Sequence, residues 1–70
     1  MNRLGEKLRT LRTQYGLTIR ELASELGITY GYITQIELDK RTPSAKVILK
    51  IADFFEVSAD QLMRDDLEVE

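Results

Sequence analysis

The residues with chemistry to offer cluster in one stretch, Tyr30-Gly31-Tyr32-Ile33-Thr34-Gln35-Ile36. Ile33 and Ile36 stand three apart, the spacing of one buried helix face. Residues near Tyr30, Gly31 and Thr34 therefore turn outward. Phenol, hydroxyl and carboxamide groups donate and accept hydrogen bonds without carrying charge near neutral pH. That set suits binding better than bond making, and the rest of the composition agrees. The chain has no histidine and no cysteine, which removes the commonest general base, the commonest metal ligand, and any disulfide or thiolate zinc site. No Gly-rich phosphate loop occurs. Glu37 has no partner acid, base or metal ligand beside it, so a catalytic carboxylate there finds no support. The expectation is a protein that is not an enzyme and needs no cofactor or metal.

Two short capped helices must position that stretch. Thr18-Ile19-Arg20-Glu21 is a capping box: the Thr18 hydroxyl can accept from the Glu21 amide, and Glu21 can reach back to the Thr18 amide. Thr29 is a second N-cap residue. Leu26-Gly27-Ile28-Thr29 joins the two. A glycine turn this short makes the helices cross steeply, the helix-turn-helix geometry. The second helix then points its first turn outward, where it can enter a DNA major groove.

Around this corner the chain reads as helix throughout. Leu4, Leu8, Leu11 and Tyr15 form one stripe, predicting a first helix over 3–15 that stops at Gly16. The second and third run over about 19–26 and 30–37. Residues 38–43 form a loop, because Pro43 disfavours helix at Thr42. Ser44 caps a fourth helix with Ile48, Ile51, Ala52 and Phe55 in its buried stripe, widened by Val47, Leu49 and Phe54. Ser58-Ala59-Asp60-Gln61 is a second capping box opening a short fifth helix over about 59–63. Every helix after the first starts with apolar, Ser or Thr, three residues, apolar. That agreement of local signals specifies an all-α fold, a compact five-helix bundle. One domain is expected over 1–64, followed by an acidic tail over 65–70, and residues 64–70 are expected to fray in a monomer.

Seventy residues allow one small core. The formal net charge is −2, but the charge is unevenly placed. Residues 1–50 hold nine Lys/Arg against five Asp/Glu, a net +4, whereas 51–70 hold one Arg against seven acids, a net −6. Overall charge is thus a poor guide to the local field. No apolar run approaches the roughly 20 residues of a membrane helix. The first six residues carry an acid and alternate polar with apolar, unlike a signal peptide. A cytoplasmic chain with no membrane partner is expected.

The segments LGEKLRTLRTQYGLTIRELASELGITYGYITQIE, then PS, then ILKIADFFEVSADQL resemble the Cro/C1-type (XRE-family) helix-turn-helix domain. The matching patterns are L-x-x-LR, GLT-x-x-ELA-x-x-LG, the Y-I-x-x-IE close of the third helix and A-x-x-x-x-VS-x-x-x-L. They cover about residues 3–63, and the shortness of the chain resembles small stand-alone repressors and controller proteins. One departure is Asp39, where the family often has glycine; Asp tolerates a left-handed backbone better than most residues.

The resemblance implies a lambda-repressor-like bundle whose third helix reads double-stranded DNA. Tyr30 and Gln35 are the expected base-edge contacts, since Gln can pair bidentately with adenine. Gly31 would let the backbone approach the groove floor, with Tyr32 and Thr34 beside it. Thr29, Arg20, Lys40, Arg41 and Thr42 would hold phosphates, which position the protein without reading sequence. Arg12 and Glu37 would form a structural salt bridge that fixes the tilt of the third helix. A monomer of this size reads few base pairs, so a homodimer on a palindromic operator is expected, with Leu62, Met63 and Leu67 in the interface. The function expected is that of a transcriptional regulator, a repressor or autoregulator. The competing reading is a module that binds a partner protein, as an antitoxin does, through the acidic tail Asp65-Asp66-Leu67-Glu68-Val69-Glu70.

Overall fold

A computed structural model describes residues 2–69. Its elements, in order, are α1 (Leu4–Gln14), α2 (Ile19–Leu26), α3 (Tyr30–Glu37), α4 (Ala45–Phe55) and α5 (Ala59–Met63), with no strand among the described residues. The caps account for the boundaries. In α2 the Thr18 hydroxyl accepts from the Glu21 amide at 3.1 Å, and Glu21 Oε1 accepts from the Thr18 amide at 2.8 Å. That last bond holds the Glu21 carboxyl below the usual range. Thr29, Ser44 and Ser58 cap α3, α4 and α5 in the same way, and Gln61 completes the second capping box. Each cap is worth about 1 kcal/mol. Gly27 ends α2 at φ +69°; its missing Cβ makes that left-handed turn inexpensive.

One core holds the helices together. Leu4, Leu8 and Leu11 of α1 meet Leu22, Ala23 and Leu26 of α2, Ile33 and Ile36 of α3, and Val47, Ile48, Ile51, Ala52 and Phe55 of α4. Fully burying one such aliphatic side chain contributes about 1.5–3 kcal/mol, so the core outweighs the caps. Two members of the anticipated stripes fall outside it. Leu49 is 55% exposed, and Tyr15 is half exposed, stacking edge-on against Phe55 while its hydroxyl donates to the Phe55 carbonyl.

The expectation of a frayed tail is overturned for residues 65–69; Glu70 lies outside the described residues. Val69 is buried in the core. Asp65 accepts from the Asn2 and Arg3 amides at 3.2 and 3.1 Å, capping α1 from the far end of the chain. Those two N–H groups hold the Asp65 carboxyl below its ordinary value. Arg3 also binds Glu68 at 2.9 Å, which lowers the Glu68 pKa and raises that of Arg3. Lys7 is 1% exposed and donates to the Gln61 and Arg64 carbonyls, both at 2.6 Å. Its charge thus sits at the carbonyl end of α5, where a cation is favoured.

Candidate nucleic-acid interface

Three segments converge on the outer face of α3. The first is α3 itself, where Ile33 and Ile36 are buried and leave Tyr30, Gly31 and Gln35 exposed. A Cβ built on Gly31 would meet nothing within 4 Å. Its glycine therefore relieves no contact within the fold and leaves bare backbone on the surface. The second is the start of α2, which brings Arg20 to 4.8 Å from the Tyr30 ring centroid. The third is the loop after α3, in which Lys40, Arg41 and Thr42 are all exposed.

The side chains expected on this face divide by what already occupies them. The Gln35 carbonyl accepts from the Lys40 amide at 2.8 Å, but its side-chain carboxamide has no hydrogen-bond partner among the described residues and stays available. Thr29 uses its oxygen to cap α3, accepting from the Tyr32 amide at 3.2 Å, and keeps its proton to donate. Thr34 donates to the Tyr30 carbonyl of its own helix at 3.0 Å, so its proton is spent. Tyr32 is half-buried against the core, and its hydroxyl accepts from the Ser44 amide at 3.2 Å. It anchors the loop to α3 rather than pointing freely outward.

The aim of α3 is set from behind. Arg12 Nε donates to Glu37 Oε2 at 2.8 Å and Arg12 Nη2 donates to Glu37 Oε1 at 3.2 Å, while Arg12 Nη1 reaches the Leu17 carbonyl at 2.9 Å. The pair ties α1, the start of the helix-turn-helix and the last residue of α3 together. The Glu37 hydrogen bonds raise the Arg12 pKa. Arg9 approaches the same carboxylate at 3.4 Å, which the sequence reading did not include. Gly5 was missed as well. A Cβ there would lie 2.5 Å from the Ile36 carbonyl oxygen and 2.7 Å from Asp39 Oδ1. Glycine is thus what lets α1 lie against the end of α3. Asp39 itself takes φ +60°, keeping the left-handed path that glycine would have given.

The anticipated dimer surface needs correction. Leu62 is fully buried in the core and offers nothing to a partner. Leu67 is half-buried in the folded-back tail. Met63, 38% exposed, instead lines an apolar groove between α4 and α5 with Pro43, Ala45, Ile48, Leu49 and Ala59. The sequence signal was present, since Leu49 lies off the main stripe of α4, but its reading as core hid it.

Two short packed helices joined through Gly27, a capped second helix with bare backbone on its outer turn, and cations on its flanks define the helix-turn-helix class. The chain belongs to the family described as helix-turn-helix domain, which matches residues 5–67. It is 38% identical over 58 residues to the uncharacterised HTH-type transcriptional regulator YazB of Bacillus subtilis, covering 83% of this chain and 84% of YazB. Its fold is similar to that of the restriction-modification controller protein C.AhdI of Aeromonas hydrophila, with a TM-score of 0.80 and 32% identity over 89% of this chain and 94% of that one. It is also similar to SinR, the B. subtilis master regulator for biofilm formation, in complex with DNA, at a TM-score of 0.80 and 26% identity, covering 86% and 97% of the two chains. Three other curated relatives are 33–39% identical, but the chain spans only 14–53% of their lengths. The fold is thus the all-α, Cro/C1-type helix-turn-helix bundle. No helix among the described residues is long and apolar enough to cross a membrane.

Proposed function

We propose that this domain is a cytoplasmic transcriptional regulator, a repressor or autoregulator, that binds a palindromic operator as a homodimer. The observation that carries this reading is the outer face of α3. Tyr30, Gly31 and Gln35 are exposed there, with Arg20, Lys40 and Arg41 around them. The first turn of α3 enters the major groove. Gln35 pairs with a base edge, adenine by preference, and Gly31 brings the backbone near a thymine methyl. Thr29, Arg20, Lys40, Arg41 and Thr42 hold phosphates and make binding salt-dependent. SinR, whose fold is similar, is known in complex with DNA, which supports this placement.

A second copy of the chain covers the α4–α5 groove, with Leu49 and Met63 as its apolar centre. Dimerisation doubles the site and sets half-sites about one helical turn, ~34 Å, apart. The protein-binding alternative drew on the acidic tail. Asp65 accepts from the Asn2 and Arg3 amides just before α1, and Glu68 pairs with the Arg3 side chain, so that feature no longer favours it.

Selection of bound fragments from random DNA tests the reading. The expected product is a twofold-symmetric site, and Gln35→Ala should relax preference at one position per half-site. Failure to enrich any duplex at low salt would overturn it.

A further inference from the structure

Six arginines occur in the chain. Four are matched to carboxylates: Arg3 to Glu6 and Glu68, Arg9 and Arg12 to Glu37, and Arg64 to Asp66. Arg20 and Arg41 have no carboxylate partner among the described residues. Each lies instead over a tyrosine of α3. The Arg20 guanidinium is 4.8 Å from the Tyr30 ring centroid, and that of Arg41 is 4.3 Å from the Tyr32 centroid. A helix turns about 100° per residue, so positions 30 and 32 leave α3 about 200° apart. The two stacks therefore stand on opposite flanks of Gly31.

We propose that Tyr30 and Tyr32 are positioning residues that hold Arg20 and Arg41 as a two-sided phosphate clamp, one guanidinium for each wall of the groove. The proposal rests on the DNA-binding reading above. Stacking and phosphate binding use different parts of the guanidinium. The ring takes its face, whereas its five N–H donors lie in the plane and project from the edge. A carboxylate partner would occupy those donors; a tyrosine leaves them free. Stacking also restricts the arginine before DNA arrives, so less freedom is lost on binding. The dimensions agree: a helix about 10–12 Å across in a groove about 12 Å wide faces both backbones. Tyr32 is itself fixed, since its hydroxyl accepts from the Ser44 amide and closes the loop that carries Arg41.

The clamp separates two roles for Tyr30, a ring that holds Arg20 or a hydroxyl that reads a base. The test uses the full chain and a random-sequence 30-base-pair duplex, with affinity measured by anisotropy between 50 and 200 mM salt. Arg20→Ala and Arg41→Ala should each reduce the salt slope by about one phosphate contact. Tyr30→Leu and Tyr32→Leu should weaken binding about three- to tenfold, the range of an exposed to half-dry cation–π contact. Tyr30→Phe should bind as wild type. Tyr30→Leu added to Arg20→Ala should cause no further loss, and neither should Tyr32→Leu added to Arg41→Ala once compared with Tyr32→Phe added to Arg41→Ala, which removes the Ser44 bond alone. In the free protein the Arg20 side-chain protons should show a ring-current shift that Tyr30→Leu abolishes. If Tyr32→Leu fails to fold, Arg41→Lys keeps the charge without the planar stack and should show the same three- to tenfold loss. Additive losses in a protein that binds overturn the clamp alone. So does a Tyr30→Phe variant as weak as Tyr30→Leu, or the absence of the ring-current shift. A protein that shows the shift but does not bind the duplex at low salt overturns the DNA reading, and the clamp with it.

Discussion

Removing either member of the Arg12–Glu37 pair should cost most of the margin by which a domain this small is folded. The Glu37 side chain is 3% exposed and that of Arg12 14%. Replacing Glu37 with Leu leaves Arg12 with one bond, to the Leu17 carbonyl at 2.9 Å, and strips Nε and Nη2 of their acceptor. Breaking a buried ion pair costs about 3–5 kcal/mol. Water reaches part of Arg12, so the lower end applies, about 3 kcal/mol. For a domain of this size that lowers Tm by about 12–24 °C. Arg12→Met should fall by a similar amount, because Glu37 then keeps only Arg9, at 3.4 Å. The double variant Arg12→Met/Glu37→Leu removes both charges and should return to within about 1 kcal/mol of the parent. Urea unfolding followed by circular dichroism at pH 7 reads all four corners of the cycle. Single losses below about 1 kcal/mol that add in the double variant would refute the reasoning, since that is how an exposed pair behaves.

Two glycines should respond in opposite directions. Gly5→Ala drives a methyl into the Ile36 carbonyl and should destabilise by about 2 kcal/mol in urea, the strain of overpacking less the helix-propensity gain. Gly31→Ala meets nothing and should stabilise by about 0.5–1 kcal/mol while weakening operator binding about tenfold, because the added methyl separates backbone from groove. Glu56 ends α4 at φ +56°, so Glu56→Gly should raise stability by about 0.5–1 kcal/mol through relief of left-handed strain. Acid should loosen the tail first. Asp65 and Glu68 both titrate below their ordinary values, so their contribution is fully present above about pH 4–5 and is lost as pH falls through the lower folded values. Asp65→Asn should therefore lower Tm at pH 7 and flatten the acid limb of the Tm–pH curve.

The helix-turn-helix was legible because its signals are local. Thr18, Thr29, Ser44 and Ser58 cap helices that begin where the apolar spacing changes, and each partner lies three residues away. The Arg12–Glu37 pair spans 25 residues. It came from the resemblance, and spacing alone would not have found it. The exposed face of α3 followed from Ile33 and Ile36. Which of its side chains are free did not, because Tyr32 and Thr34 are engaged by atoms that the helical pattern does not order by distance.

Helix α1 shows why the rest stayed hidden. It is the one helix with no local side-chain cap, it buries a lysine, and it carries a glycine in its first turn. Each feature looks like a defect when α1 is read alone. Each is completed by a residue far along the chain: the cap by Asp65, the lysine by the carbonyls of Gln61 and Arg64, the glycine by the end of α3. Local rules fail on α1 because its partners arrive only after the chain has closed. The same holds for Arg20 and Arg41, expected from the resemblance to hold phosphates, whose seats on Tyr30 and Tyr32 only the fold reveals. A break in local consistency therefore marks where a distant contact supplies what the neighbours lack. In this chain those breaks sit on α1 and around α3, the two helices that Arg12 and Glu37 join.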